Sequence, residues 1–184
     1  MMTILEQLKE DHDNLSRLLA ILEQKVRKLR TGEHPNFGLM AEAIDYITNF
    51  ADAYHHPWEN EIYKHFQGRD EQLDKAMNYC ADQHHEMIHL GSELAESVDC
   101  ILHDAVIPMD QFTDRLELFV VKQVEHLKLE DEELMPALLR VANTVDWQTL
   151  EKALSRPEDP LFGTTQSRRY SELYQQLLLA NESF

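Results

Sequence analysis

The chain has 184 residues, 43% hydrophobic and 28% charged, a composition for one globular domain with an appendage. Its 34 acidic and 17 basic residues give a formal charge of −17, a field that repels phosphate backbones and argues against a nucleic-acid partner. No apolar run approaches the roughly 20 residues that span a bilayer, and the opening MMTILEQLKEDHD lacks the basic and apolar regions of a secretion signal. A cytoplasmic protein with no membrane segment is expected.

Apolar residues recur at helical spacing through four long segments, and none shows sustained strand-like alternation. The first runs from about Ile4 to Leu29, with a stripe of Leu5, Leu8, His12, Leu15, Leu19, Leu22, Val26 and Leu29. Thr31 to Pro35 then reads as a stop and a turn. The second runs from about Gly38 to Phe66, through Ile44, Ala51, Tyr54 or His55, Trp58 or Glu59, Ile62 and Phe66. The third, from about Glu71 to His103, carries Leu73, Met77, Cys80, His84, Met87, Gly91 and Leu94 on its stripe. The fourth, from about Met109 to Val141, carries Phe112, Leu116, Phe119, Gln123, His126, Glu130 and Leu134.

This pattern predicts an all-α fold, an antiparallel up-down four-helix bundle over residues 1–141. Cys80 and Cys100 then share one helix about 30 Å apart and cannot bridge. Residues 142–184 form a C-terminal extension: a short helix in TVDWQTLEKAL, an extended linker in SRPEDPLFG and an amphipathic stretch in SRRYSELYQQLLLA. The extension packs on the bundle or on a second subunit, and the latter would make a homodimer.

The stripes carry polar residues where a plain bundle would place leucine. His12 falls on the first, His84 on the third, and His126 with Glu130 on the fourth. On the second, YHHPWENEI offers two adjacent histidines ahead of Glu59. Helical phase from Ile44 through Ala51 keeps His55 and Glu59 on the inner face and sends His56 outward with Asn49, Asp52 and Asn60. Pro57 kinks the helix there, or starts a new one. Buried carboxylates without partners are costly, so six such residues on four helices point to one polar cluster. Four imidazoles and two carboxylates suit iron, manganese or zinc. The carboxylates can bridge two cations, and six protein ligands leave coordination positions for a small exogenous molecule.

DHDNL (11–15), YHHPWENEIY (54–63), DQHHEM (82–87) and VEHLKLEDEELMPAL (124–138), taken in order, resemble the hemerythrin-like (HHE cation-binding) family. The resemblance implies a non-haem di-iron centre with two bridging glutamates inside a four-helix bundle. It maps the metal ligands onto His12, His55, Glu59, His84, His126 and Glu130. It also implies a small diatomic ligand, oxygen or nitric oxide, or a response to oxidative stress. Oxygen-carrying members place a second histidine four residues on in the third helix, where this chain has Ile88. His85 and His89 have that spacing but lie off the stripe. The pattern is closer to members with four histidines, such as those linked to repair of iron–sulfur centres.

Other chemistries find less support. Ferritin-like di-iron oxidases need two Glu-x-x-His motifs, and the one match here, Glu86 to His89, is off the stripe. No nucleophile stands in a strained turn, no glycine-rich phosphate loop is present, and no catalytic residue is assigned. His34, His65 and His103 receive no role. A structural bundle holding zinc, or no metal, is the alternative.

Overall fold

The computed structural model describes residues 3–155 and 158–181. Among them every regular element is helical, and no helix is long and apolar enough to cross a membrane. Four long helical rods come first. They are α1 (Ile4–Arg30); α2 (Phe37–Tyr46), continued through a π-helical stretch Ile47–His55 into α3 (His56–Phe66); α4 (Glu71–Leu102); and α5 (Met109–Leu129), continued through a second π-helical stretch Glu130–Leu134 into α6 (Met135–Val141). Then follow α7 (Thr144–Ala153), a short 3-10 turn Arg168–Tyr170, and α8 (Ser171–Asn181).

The rod boundaries follow from capping chemistry. Thr3 closes a capping box with Glu6 at the start of α1, and the side chains of Asn36 and Asp70 accept from the backbone N–H groups of Leu39 and Leu73. The rods end at Gly32 and Gly68, whose positive φ angles of 76° and 84° suit a residue without a Cβ. Pro57 does not end the second rod. Each π-stretch is followed two residues later by a proline, Pro57 after His55 and Pro136 after Leu134. A proline in a regular α-turn clashes with the carbonyl four residues back and leaves it without its donor. The wider π-turn relieves both, and the His56 N–H bonds Ala51 O five residues back.

The rods pack side by side, α1 against α5, and α4 against both α2 and α5. Their apolar side chains form two clusters. The larger contains Leu15, Leu22, Ile44, Leu94, Leu116 and Phe119; the smaller contains Leu8, Ile62, Phe66, Met77, Leu134 and Leu138. Fully burying one such side chain contributes about 1.5–3 kcal/mol. Between the clusters, on every rod, lies a polar layer. Gly91 permits the close approach of α4 to the first π-stretch, since a Cβ there would stand 2.6 Å from Thr48 Cγ2.

The C-terminal segment packs on the first two rods. Asp159 anchors a loop: its Oδ1 accepts from the backbone N–H of Leu161 and Phe162, and its Oδ2 from the Tyr46 hydroxyl. Residues 158–163 are therefore a tight turn, with Gly163 N–H on Asp159 O, and not the extended linker read from the two prolines. Of that linker, Arg156 and Pro157 lie outside the described residues, as do Met1, Met2 and residues 182–184. The Tyr170 hydroxyl reaches Asp45, and the Leu173 N–H reaches Glu42, so α8 sits along α2.

Candidate metal centre

All six residues singled out in the sequence are buried and come together in the polar layer. His12, His55, Glu59, His84, His126 and Glu130 range from 0 to 3% exposed. The rods deliver them because each sits on an inward face between apolar neighbours: His12 between Leu8 and Leu15, His84 between Cys80 and Met87.

The imidazoles form two facing pairs. His12 Nε2 lies 3.1 Å from His55 Nε2, and His84 Nε2 lies 3.0 Å from His126 Nε2. Glu59 lies between the pairs, with Oε1 at 3.2 Å from His12 Nε2 and 3.3 Å from His55 Nε2, and Oε2 at 3.4 Å from His84 Nε2. Glu130 does the same from the other side. Its Oε2 is 3.5 Å from His12 Nε2 and 3.2 Å from His126 Nε2, and its Oε1 is 3.6 Å from His84 Nε2.

The outer nitrogens are held as consistently as the inner ones converge. Each Nδ1–H donates to an oxygen from another rod: His12 to Asp131 (2.8 Å), His55 to Asp11 (3.0 Å), His84 to Asn60 (3.1 Å) and His126 to Gln83 (3.0 Å). The acceptors run in a closed ring. The first rod serves the second, the second serves the third, the third serves the fourth, and the fourth returns to the first. Every acceptor is the sequence neighbour of a residue already in the cluster. An acceptor on Nδ1 fixes the tautomer and presents the Nε2 lone pair inward, the usual outer support of a metal-bound histidine. The sequence held this signal as a polar residue flanking each inward one, though not which histidine it would serve.

The electrostatics agree with a cation-binding set. Burial alone would push His12 down, but Asp131 and Glu59 outweigh it and hold the ring at about 11. His55 is likewise depressed by burial yet raised to about 9, chiefly by Glu59 and Asp11. Burial would raise Glu59, and His55 and His12 instead keep it well below the ordinary carboxylate range. Glu130 is also lowered: burial and Glu59 push it up, and the His126 and His84 contacts prevail. The two buried carboxylates thus favour the charged forms of His12 and His55. Metal ions can replace their protons.

Three further residues belong to this layer. The Tyr63 hydroxyl donates to Glu130 Oε1, and burial with the Glu130 charge keeps that proton well above its ordinary pKa. Cys80 offers its sulfur beside His126 and Glu130, and burial keeps its thiol protonated. His56, which helical phase placed outward, is 1% exposed and stands with Glu59, His84 and His126. The cause is physical: a π-turn takes in an extra residue, and with the His56 N–H on Ala51 O the inner face one turn after Ala51 holds His56 as well as His55. His85 and His89 are exposed, as their off-stripe positions implied, Ile88 is exposed as well, and His65 is drawn to Asp146.

The donor set fits metal ions. Glu59 Oε2 and Glu130 Oε2 are buried with no hydrogen-bond partner, a costly state that a cation relieves. With bonds of about 2.1 Å, adjacent ligands of an octahedral ion stand about 3 Å apart. The two Nε2–Nε2 separations match that spacing. A scan of family models matches residues 3–138 to the hemerythrin HHE cation binding domain. The chain belongs to this family. No curated protein and no solved structure matches it.

Proposed function

We propose that this hemerythrin HHE protein is a non-haem di-iron protein with His12, His55, Glu59, His84, His126 and Glu130 as ligands, and that it binds, senses or responds to oxygen, nitric oxide or a related oxidant. The observation that carries this reading is the pair of facing imidazole pairs with both carboxylates between them. Iron held by these six residues would supply electron exchange with a small oxidant or diatomic molecule. The chain's own residues prepare that chemistry. The ring of Nδ1 acceptors fixes the imidazoles, Tyr63 orients Glu130, and the two apolar clusters keep bulk water away on either side. Two surface clefts lead toward one imidazole pair. One, of about 220 Å³, is lined by Asp11, Tyr54, His55, Pro57 and Trp58; the other, of about 240 Å³, by Leu8, His12, Asp131 and Met135.

In the same reading, residues 1–141 are an antiparallel up-down four-helix bundle and residues 142–184 an extension braced on it. The exposed Leu178 of α8 would give a second subunit a contact in a homodimer, and a cytoplasmic residence is part of the same reading. A role in repair of nitrosylated or oxidised iron–sulfur centres is the second reading, favoured by α4 supplying one inward histidine where oxygen carriers have two.

The test is metal content with visible spectra in air, after anaerobic reduction and after nitric oxide. Two irons per chain, with charge-transfer bands that respond to one gas and disappear in His126→Ala at unchanged helicity, are the expected result. Zinc alone, or no metal after ferrous reconstitution, would leave the structural bundle.

A further inference from the structure

His56 has no place in the six-ligand set, yet its surroundings copy those of the ligands. It is buried at 1% exposure, and neither ring nitrogen makes a hydrogen bond. An imidazole in that state has lost its water and gained nothing in return, which folded proteins rarely leave unanswered. Its ring stacks on His84 with centroids 4.2 Å apart and planes 11° from parallel, and it meets His126 edge-on at 5.6 Å. One ligand atom from each of His56, Glu59, His84 and His126 lies within 4.8 Å of all the others. Asp52 Oδ1 stands 2.9 Å from His56 Nδ1, one turn back on the same rod and out of line for a hydrogen bond. It occupies the place that Asp131, Asp11, Asn60 and Gln83 occupy for the other four rings. A small rotation of either side chain would complete the same arrangement and leave Nε2 as the inner nitrogen.

Resting on the di-iron reading above, we propose that His56 is a seventh protein ligand, on the ion held by His84 and His126. The second rod then supplies the fifth imidazole, from a position next to His55 and not from the third rod. The two ions become unequal, with three imidazoles on one and the His12–His55 pair on the other. Asp52 is the positioning residue for the third.

A purely structural His56 would only pack on His84. His56→Phe separates the two, because it keeps the stacked ring and removes the nitrogen. His56→Ala, assayed with and without added imidazole, adds a rescue that packing would not give. Iron is titrated into wild type, both variants and His126→Ala, with Mössbauer spectra and far-ultraviolet circular dichroism on each. Wild type is expected to show two inequivalent irons, and His56→Phe a native helical spectrum with one ion bound at least ten-fold more weakly. Imidazole should restore the second iron signal in His56→Ala. Asp52→Asn should weaken the same ion by less, with its Mössbauer doublet shifted. If His56→Phe binds two irons at wild-type affinity with an unchanged spectrum, His56 is not a ligand, while His126→Ala losing iron leaves the di-iron reading standing. Absence of iron from wild type would overturn both.

Discussion

Two stretches of this protein are written alike and behave differently. HHPWE (55–59) and HLKLE (126–130) each place a glutamate four residues after a histidine, and each lies beside a π-helical stretch with a proline two residues past its end. In the first the π-turns run up to and include His55. Widened turns rotate the following residues, and His55, His56 and Glu59 all point inward. In the second the π-turn begins at Glu130, after the histidine, and the residue beside His126 is Leu127, which packs into the larger apolar cluster. The position of the π-turn relative to the motif decides how many imidazoles one rod can deliver.

The largest expected effect removes a carboxylate from either stretch. Glu59→Ala and Glu130→Ala should each abolish binding of both irons, because each carboxylate lies between both imidazole pairs. The melting temperature of either variant should then be insensitive to iron and chelator, whereas that of wild type should rise on iron addition. Retention of one iron in Glu59→Ala would show that the two carboxylates are not equivalent.

Gly91→Ala attacks the first stretch alone, since the new Cβ meets Thr48 in its π-turns. Overpacking of this kind costs about 1–3 kcal/mol, measured by urea unfolding. Thr48→Ser on the Gly91→Ala background should recover most of that loss. It deletes the crowding methyl and keeps the hydroxyl that bonds Ile44 O.

The prolines come next. Pro57→Ala restores an N–H that can close a regular α-turn and rotate His56 away, so iron affinity should fall a few-fold on titration. Pro136→Ala changes backbone beyond Glu130, where no further ligand follows, and should leave iron binding near wild type. Equal effects from both would remove the distinction drawn between the two π-stretches.

The smallest effect concerns a latch between the end of the second rod and α7. Asp146 of α7 accepts from Arg69 at 2.6 Å and pairs with His65 at 2.9 Å. The Arg69 bonds, with the Asn143 backbone and His65, hold its pKa below the ordinary carboxylate value. A depressed carboxylate contributes stability that is present above its unfolded pKa, near 4, and is lost as pH falls below it. Asp146→Asn should therefore lower the melting temperature slightly at pH 7, with the difference vanishing in acid.

The sequence by itself determined the helical rods and the six inward polar residues. Local residues around Gly32 and Gly68 break the pattern, and a 3.6-residue period fixes which side chains share a face. His12, His84 and His126 could be assigned because their rods are regular up to those positions. Only tertiary structure decided the rest. His56 turned inward because the backbone carries π-turns, whose extra residue per turn leaves no mark in the hydrophobic period before Pro57. The ring of acceptors, Asp131 on His12 or Gln83 on His126, depends on which rods are neighbours. So do the Asp45 contact with Tyr170 and the Asp146 latch, each joining residues far apart in the chain. Local spacing sets the direction in which a side chain points, and packing sets what it meets there.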